Sequence, residues 1–251
     1  MIRTREKGRL AFSLSISAVF AALTAATTLV LTLGVPATGG YFNVGEIVIY
    51  VAALLLGPYV GAFAGGGAAI ADLLVAAQFA PGTLAIKSIE GAIVGFLNRA
   101  FQGGSKTNWR AFTALLGIIV GLIFAITGSL YYTQIQLYIG QPPPPTPNLA
   151  FTIPAFVWYL MGAIVASLIV FAGFKIEPQT GRYVFSIIVG GLEMVAGYFL
   201  YERLVLGDIT AAVEIPVNLG QMMIGLIVAI PISRIVLNSF PQLKARGKNT
   251  P

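Results

Sequence analysis

The chain has 251 residues, 57% of them hydrophobic and only 10% charged, with a mean hydropathy of +0.87; a soluble domain carries about 25% charged residues, so this composition excludes a water-soluble globule. With no Cys and no His, it also excludes a disulfide framework, a thiolate zinc site, an iron–sulfur cluster, a cysteine nucleophile, a His-based triad and a haem histidine. The net charge of +6 is spread in short clusters at the ends of apolar segments, which argues against a nucleic-acid partner and for a lipid bilayer.

Taken in chain order, uncharged runs extend over Leu10–Gly45, Ile47–Ala71 and Ala111–Phe174. Runs longer than about 18 apolar residues read as membrane spans. Segments at 10–33, 43–57, 58–80, 83–98, 111–132, 151–173, 183–205 and 215–237 predict an all-α, polytopic bundle of eight spans. The first apolar region, about 24 residues, exceeds the 7–15 of a cleaved signal peptide. Gly57-Pro58 and Ala80-Pro81-Gly82 predict tight turns on either side of the third span, and Gly61, Gly65, Gly66 and Gly67 within it predict close helix packing. Gln141-Pro142-Pro143-Pro144-Pro145-Thr146-Pro147 reads as a stiff polyproline loop. Arg3, Arg5, Lys7 and Arg9, then Arg99, Lys106 and Arg110, then Lys175 and Arg182, then Arg234, Lys244, Arg246 and Lys248 fall on one side when the spans alternate. The exceptions are Lys87 and Arg203. The positive-inside rule then predicts a cell-membrane protein with both termini cytoplasmic.

An ionisable side chain inside a span costs about 2.5–3.5 kcal/mol on insertion scales, so each needs a partner or a task. Most of them fall in the outer half: Asn43 and Glu46 at the start of the second segment, Asp72 in the third, Lys87 and Glu90 in the fourth, Glu193 and Tyr198 in the seventh, and Asn218 and Gln221 in the eighth. Asn43/Glu46, Lys87/Glu90 and Asn218/Gln221 are three apart and share helix faces. Their convergence predicts an outward polar pocket, with these nine residues as candidate ligand contacts. Glu46, Glu202 and Glu214 read either as part of this pocket, with Glu202 four residues from Tyr198, or as carboxylates at the water interface, and Tyr41, Phe42, Tyr198 and Tyr201 either as an interfacial belt or as stacking surface for a flat ligand. Lys87 with Glu90 also reads as simple mutual neutralisation, and Asn218 with Gln221 as interhelical hydrogen bonding. Ala18, Ala22 and Ala26 form a smooth stripe on the first span.

No hydrolytic signature such as HExxH or GxSxG occurs. Gly103-Gly104-Ser105-Lys106-Thr107 lacks the upstream glycine and preceding strand of a phosphate loop. Neither enzymatic activity, a cofactor nor a metal site is expected.

The order of motifs resembles a known family. Gly40-Tyr41-Phe42-Asn43-Val44-Gly45-Glu46, Ala52-Ala53-Leu54-Leu55-Leu56-Gly57-Pro58, Ala71-Asp72-Leu73-Leu74 and Ile86-Lys87-Ser88-Ile89-Glu90-Gly91 are similar to the substrate-binding S components of energy-coupling factor (ECF) vitamin transporters, most of all the riboflavin-type branch. Glu193-Met194-Val195-Ala196-Gly197-Tyr198 and Glu214-Ile215-Pro216-Val217-Asn218-Leu219-Gly220-Gln221 continue the likeness. Two departures stand out. Glu46 replaces a more frequent Asp, and eight spans replace six. On this reading the likeness stops between 105 and 180. The chain then divides into four core spans (10–104), an inserted two-helix hairpin (105–180), two further core spans (181–238) and a basic cytoplasmic tail (239–251).

The resemblance implies capture of a small vitamin or precursor from outside, with energy supplied by a separate transmembrane coupling protein and two cytoplasmic ATPases. It also implies that Ala18, Ala22 and Ala26 dock the coupling protein. Two other readings remain at this point: a self-sufficient ion-coupled transporter using Glu193 or Asp72, and a membrane scaffold in which the polar residues only tie helices together.

Overall fold

The structure is a computed structural model and describes residues 2–36, 38–101, 106–133, 137–139, 150–175 and 178–240. The proline run, Gly103-Gly104-Ser105 and most of the basic tail lie outside the described residues. Among the described residues, eight α-helices form the bundle: α1 (Ile2–Val30), α2 (Glu46–Leu56), α3 (Pro58–Val75), α4 (Ala80–Ala100), α5 (Lys106–Tyr131), α6 (Ala155–Lys175), α7 (Pro178–Leu204) and α8 (Glu214–Ser239). Among the described residues, seven are long and apolar enough to cross a membrane. The protein is a multi-pass membrane bundle.

The second expected span is present but shorter than expected. Helix α2 has 11 residues, about 16 Å at 1.5 Å per residue, roughly half the bilayer's hydrocarbon thickness. Its late start is local: the Asn43 side-chain oxygen accepts the Gly45 N–H at 2.9 Å, an Asx-type turn that competes with helix. The helix ends where Gly57 takes φ 91° and Pro58 opens α3, as the sequence predicts. Its last carbonyls are held by side chains of α4: Asn98 donates to Leu54 O at 3.0 Å and Arg99 to Leu56 O at 2.8 Å. Arg182 of α7 donates to the Asn98 oxygen at 3.0 Å.

A second correction concerns Ala80-Pro81-Gly82, which is the first turn of α4 rather than a turn between helices. Proline is tolerated there because the first helical N–H groups have no intrahelical acceptor. The chain reverses instead over residues 76–79.

A third concerns the loops. Strands β1 (Leu33–Val35), β2 (Gly40–Phe42), β3 (Leu137–Ile139) and β4 (Ala150–Phe151) form one antiparallel sheet in the order β2-β1-β3-β4. Gly34 pairs with Tyr41 on one side and Tyr138 on the other, and Tyr138 pairs with Ala150. The loop between α1 and α2 is thus joined to that between α5 and α6, at the end of the bundle where α2 begins and α7 ends.

Glycines set the closest helix approaches. A Cβ on Gly61 would strike the Gly91 carbonyl and one on Gly91 the Gly61 carbonyl; Gly65 lies against the Lys87 carbonyl, and Gly95 against Gly57 and Pro58. Helices α3 and α4 therefore meet backbone to backbone along their length. Gly67 faces the Ala21 backbone of α1, and Gly121 and Gly162 bring α5 against α6. The hairpin α5–α6 is fastened to the bundle at both ends. Phe101, Trp109, Phe112 and Phe185 stack edge-to-face at one end, with centroids 4.8 Å apart for Phe112 and Phe185. At the other end the Tyr132 hydroxyl donates to the Val213 carbonyl.

Candidate substrate-binding site

A cleft opens at the sheet end of the bundle. Gly40, Tyr41, Asn43, Asp72, Phe79, Lys87, Tyr198, Glu202, Glu214, Asn218 and Gln221 line it, and with its open mouth it encloses about 370 Å³.

Each wall has its own chemistry. On one, the Gln221 amide donates to the Asn218 oxygen at 2.7 Å and its carbonyl accepts the Asn43 backbone N–H at 3.2 Å. That chain of amides fixes where β2 passes over α8. On another, Asp72 of α3 accepts from the hydroxyls of Tyr41 and Thr83, and the Thr83 hydroxyl lies 2.7 Å from that of Tyr198. Burial, reinforced by the neighbouring Asp72 carboxylate, pushes the Tyr41 phenol well above its ordinary value, so it stays a donor. At the mouth, Glu214 accepts from Thr38. Tyr132 stands beside this wall; burial, then the charges of Glu214 and Glu202, push its phenol up as well.

The cleft floor is Lys87. Its ammonium pairs with Glu46 and lies 5.7 Å from the centroid of the Tyr198 ring, within cation–π reach. Beneath it, the Tyr50 hydroxyl donates to Glu90 at 2.6 Å. Gly225 of α8 makes the room: a Cβ there would come within 2.6 Å of the Tyr50 ring and 2.8 Å of Glu46 Cβ.

Of the nine predicted contacts, Asn43, Asp72, Lys87, Tyr198, Asn218 and Gln221 line the cleft, whereas Glu46, Glu90 and Glu193 do not. Glu46 and Glu90 are fully buried below it, in contact with Lys87 and Tyr50 respectively, and Glu193 is half-buried. Helical spacing alone put them beside the others because it reports a face and not a depth. Lys87 makes its direct ion pair with Glu46 between helices and interacts electrostatically with Glu90 as well. Phe79, Glu202 and Glu214 line the cleft without being among the nine predicted contacts. Phe79 carried no sequence signal beyond its place before Pro81, whereas the two glutamates stood next to Tyr201 and four residues before Asn218. Ala18, Ala22 and Ala26 are exposed on α1, while Ser17, Thr24 and Thr28 of the same helix are buried.

The pattern of the family described as "ECF-type riboflavin transporter, S component" matches residues 12–172. The chain belongs to this family. Its members are transporter subunits. The matched residues begin in α1 and end in α6. The chain is also similar to a Pyrococcus woesei protein described as "Uncharacterized protein in gap 3'region", with 41% identity over 103 residues, which is 41% of this chain and 65% of that protein. The chain therefore spans somewhat less than two thirds of that relative's length. No solved structure matches the chain.

Proposed function

We propose that this S component is the high-affinity substrate-binding subunit of an ECF-type importer. It takes riboflavin, or a related flat, water-soluble micronutrient, into the cleft from outside and delivers it through a transmembrane coupling protein and two cytoplasmic ATPases. The observation that carries this reading is the combination of walls in one cleft. The aromatic rings of Tyr41, Phe79 and Tyr198 offer faces for a planar ring system, while Asn218 and Gln221 offer amides for its polar edge.

Orientation follows from charge. The cleft lies at the end of the bundle opposite Arg99 and Arg182, and the basic clusters flank that opposite end along the chain. The positive-inside rule makes the cleft end external and both termini cytoplasmic, in the cell membrane. The hairpin at 105–180 contributes to the external cap, since β3 extends the β1–β2 hairpin that bears Tyr41.

Docking of the coupling protein falls to Ala18, Ala22 and Ala26, which are exposed and small and let a partner helix approach closely. Ala22→Trp is expected to abolish co-purification with the coupling protein and ATPases and to stop uptake, while ligand affinity stays within about twofold, because the stripe faces away from the cleft. Uptake by the chain alone in vesicles under an ion gradient would instead establish a self-sufficient transporter.

A further inference from the structure

The cleft is lined by three carboxylates, Asp72, Glu202 and Glu214, and by one cation, Lys87. That cation is already paired with Glu46. Asp72 has both oxygens engaged by hydroxyls. Glu202 differs: it is 2% exposed, lines the cleft, and its Oε2 has no hydrogen-bond partner among the described residues. A buried carboxylate oxygen left in this condition loses its hydration without replacement, so an incoming group that donates a hydrogen bond is favoured there.

No compensating positive charge comes from the chain above the cleft. The sequence has no Lys or Arg between Leu10 and Gly45 or between Ala111 and Phe174, which includes both loops that carry the sheet. Arg203, the other basic residue near this end, is exposed and is not among the lining residues.

We propose that the Glu202–Glu214 side of the cleft selects the unphosphorylated, donor-bearing form of the micronutrient and rejects its phosphate ester. This rests on the reading of the cleft as the vitamin site. Hydroxyl or amine groups of the ligand satisfy Glu202, as the polyol side chain of riboflavin is equipped to do. A phosphate monoester brings up to two negative charges and mainly acceptor oxygens. It finds no unpaired cation in the cleft lining, so its desolvation is not offset. Phosphorylation inside the cell would then prevent a transported vitamin from rebinding here.

The test compares riboflavin with riboflavin 5′-phosphate, each titrated into the full chain in detergent or lipid discs. The ester is expected to bind at least about tenfold more weakly, and Glu202→Gln or Glu214→Gln to narrow that ratio severalfold by placing an amide donor where the carboxyl stood without changing side-chain size. Equal affinities for the two ligands in the unmodified chain would overturn the selectivity and leave the vitamin site standing. Binding of neither would overturn the reading of the cleft and this inference with it. Because the first comparison needs no variant, a substitution that fails to fold does not blunt it.

Discussion

Lys87→Met lowers the stability of the folded chain by about 3–5 kcal/mol, the usual cost of removing one member of a buried ion pair. Lys87 is 2% exposed and Glu46 is fully buried, and no other cation lines the cleft. Loss of the ammonium leaves the Glu46 carboxylate without a counter-charge, with Glu90 and Glu193 on neighbouring helices adding charge of the same sign. The same ammonium also sits at the Tyr198 ring, so ligand affinity falls together with stability. Thermal unfolding in detergent measures the first effect. Glu46→Gln placed in the Lys87→Met background is expected to restore a large part of the loss, because it removes the stranded charge. A double variant no more stable than Lys87→Met would show that the pair does not act as a unit.

Gly65→Leu has a comparable effect by a different route. Any Cβ at Gly65 would coincide with the Lys87 carbonyl and come within 2.8 Å of the Ser88 nitrogen. Backbone on a helix cannot step aside as a flexible side chain does, so α3 and α4 must separate. Overpacking within a core costs about 1–3 kcal/mol, and a backbone clash lies at or above the top of that range. Separation would also break the Gly61–Gly91 contact and pull Lys87 away from Glu46. Loss of the monodisperse folded species in size-exclusion chromatography is the expected result. Gly66→Ala on the same helix serves as the control: its nearest neighbours are the Ser88 hydroxyl at 3.1 Å and a Leu84 methyl at 3.3 Å, both on side chains.

These two positions show which parts of the fold were legible in the sequence. Hydropathy located the seven long helices, since a span of 20 apolar residues has few soluble interpretations. The glycines of α3 announced close packing, but only the folded chain shows that Gly65 meets Lys87 and Gly61 meets Gly91. The short α2 was overestimated because Asn43, Val44 and Gly45 extend its apolar run while the Asn43 side chain holds the backbone out of helix. The sheet was missed for a related reason: strands of two or three residues in loops rich in Gly and Pro have no period to detect. In the site, polar residues within spans stood out by their cost in lipid, and six of them do meet in one cleft. Depth along a helix was not legible, so Glu46, Glu90 and Glu193 were grouped with residues that lie above them. Glu202 and Glu214 read equally as pocket and as interfacial carboxylates, because nothing in the chain shows that α7 and α8 bury them against the loop carrying Thr38 and Tyr41.

The most direct measurement is a titration of the purified, full-length chain with riboflavin, followed by quenching of flavin fluorescence, alongside the Asn218→Ala variant. A cleft built as described should bind one equivalent saturably, and removal of the Asn218 amide, which holds Gln221 in place, should weaken binding about tenfold, the equivalent of 1.4 kcal/mol. Absence of saturable binding, or an affinity unchanged by Asn218→Ala, would contradict the assignment of this cleft as the riboflavin-type site.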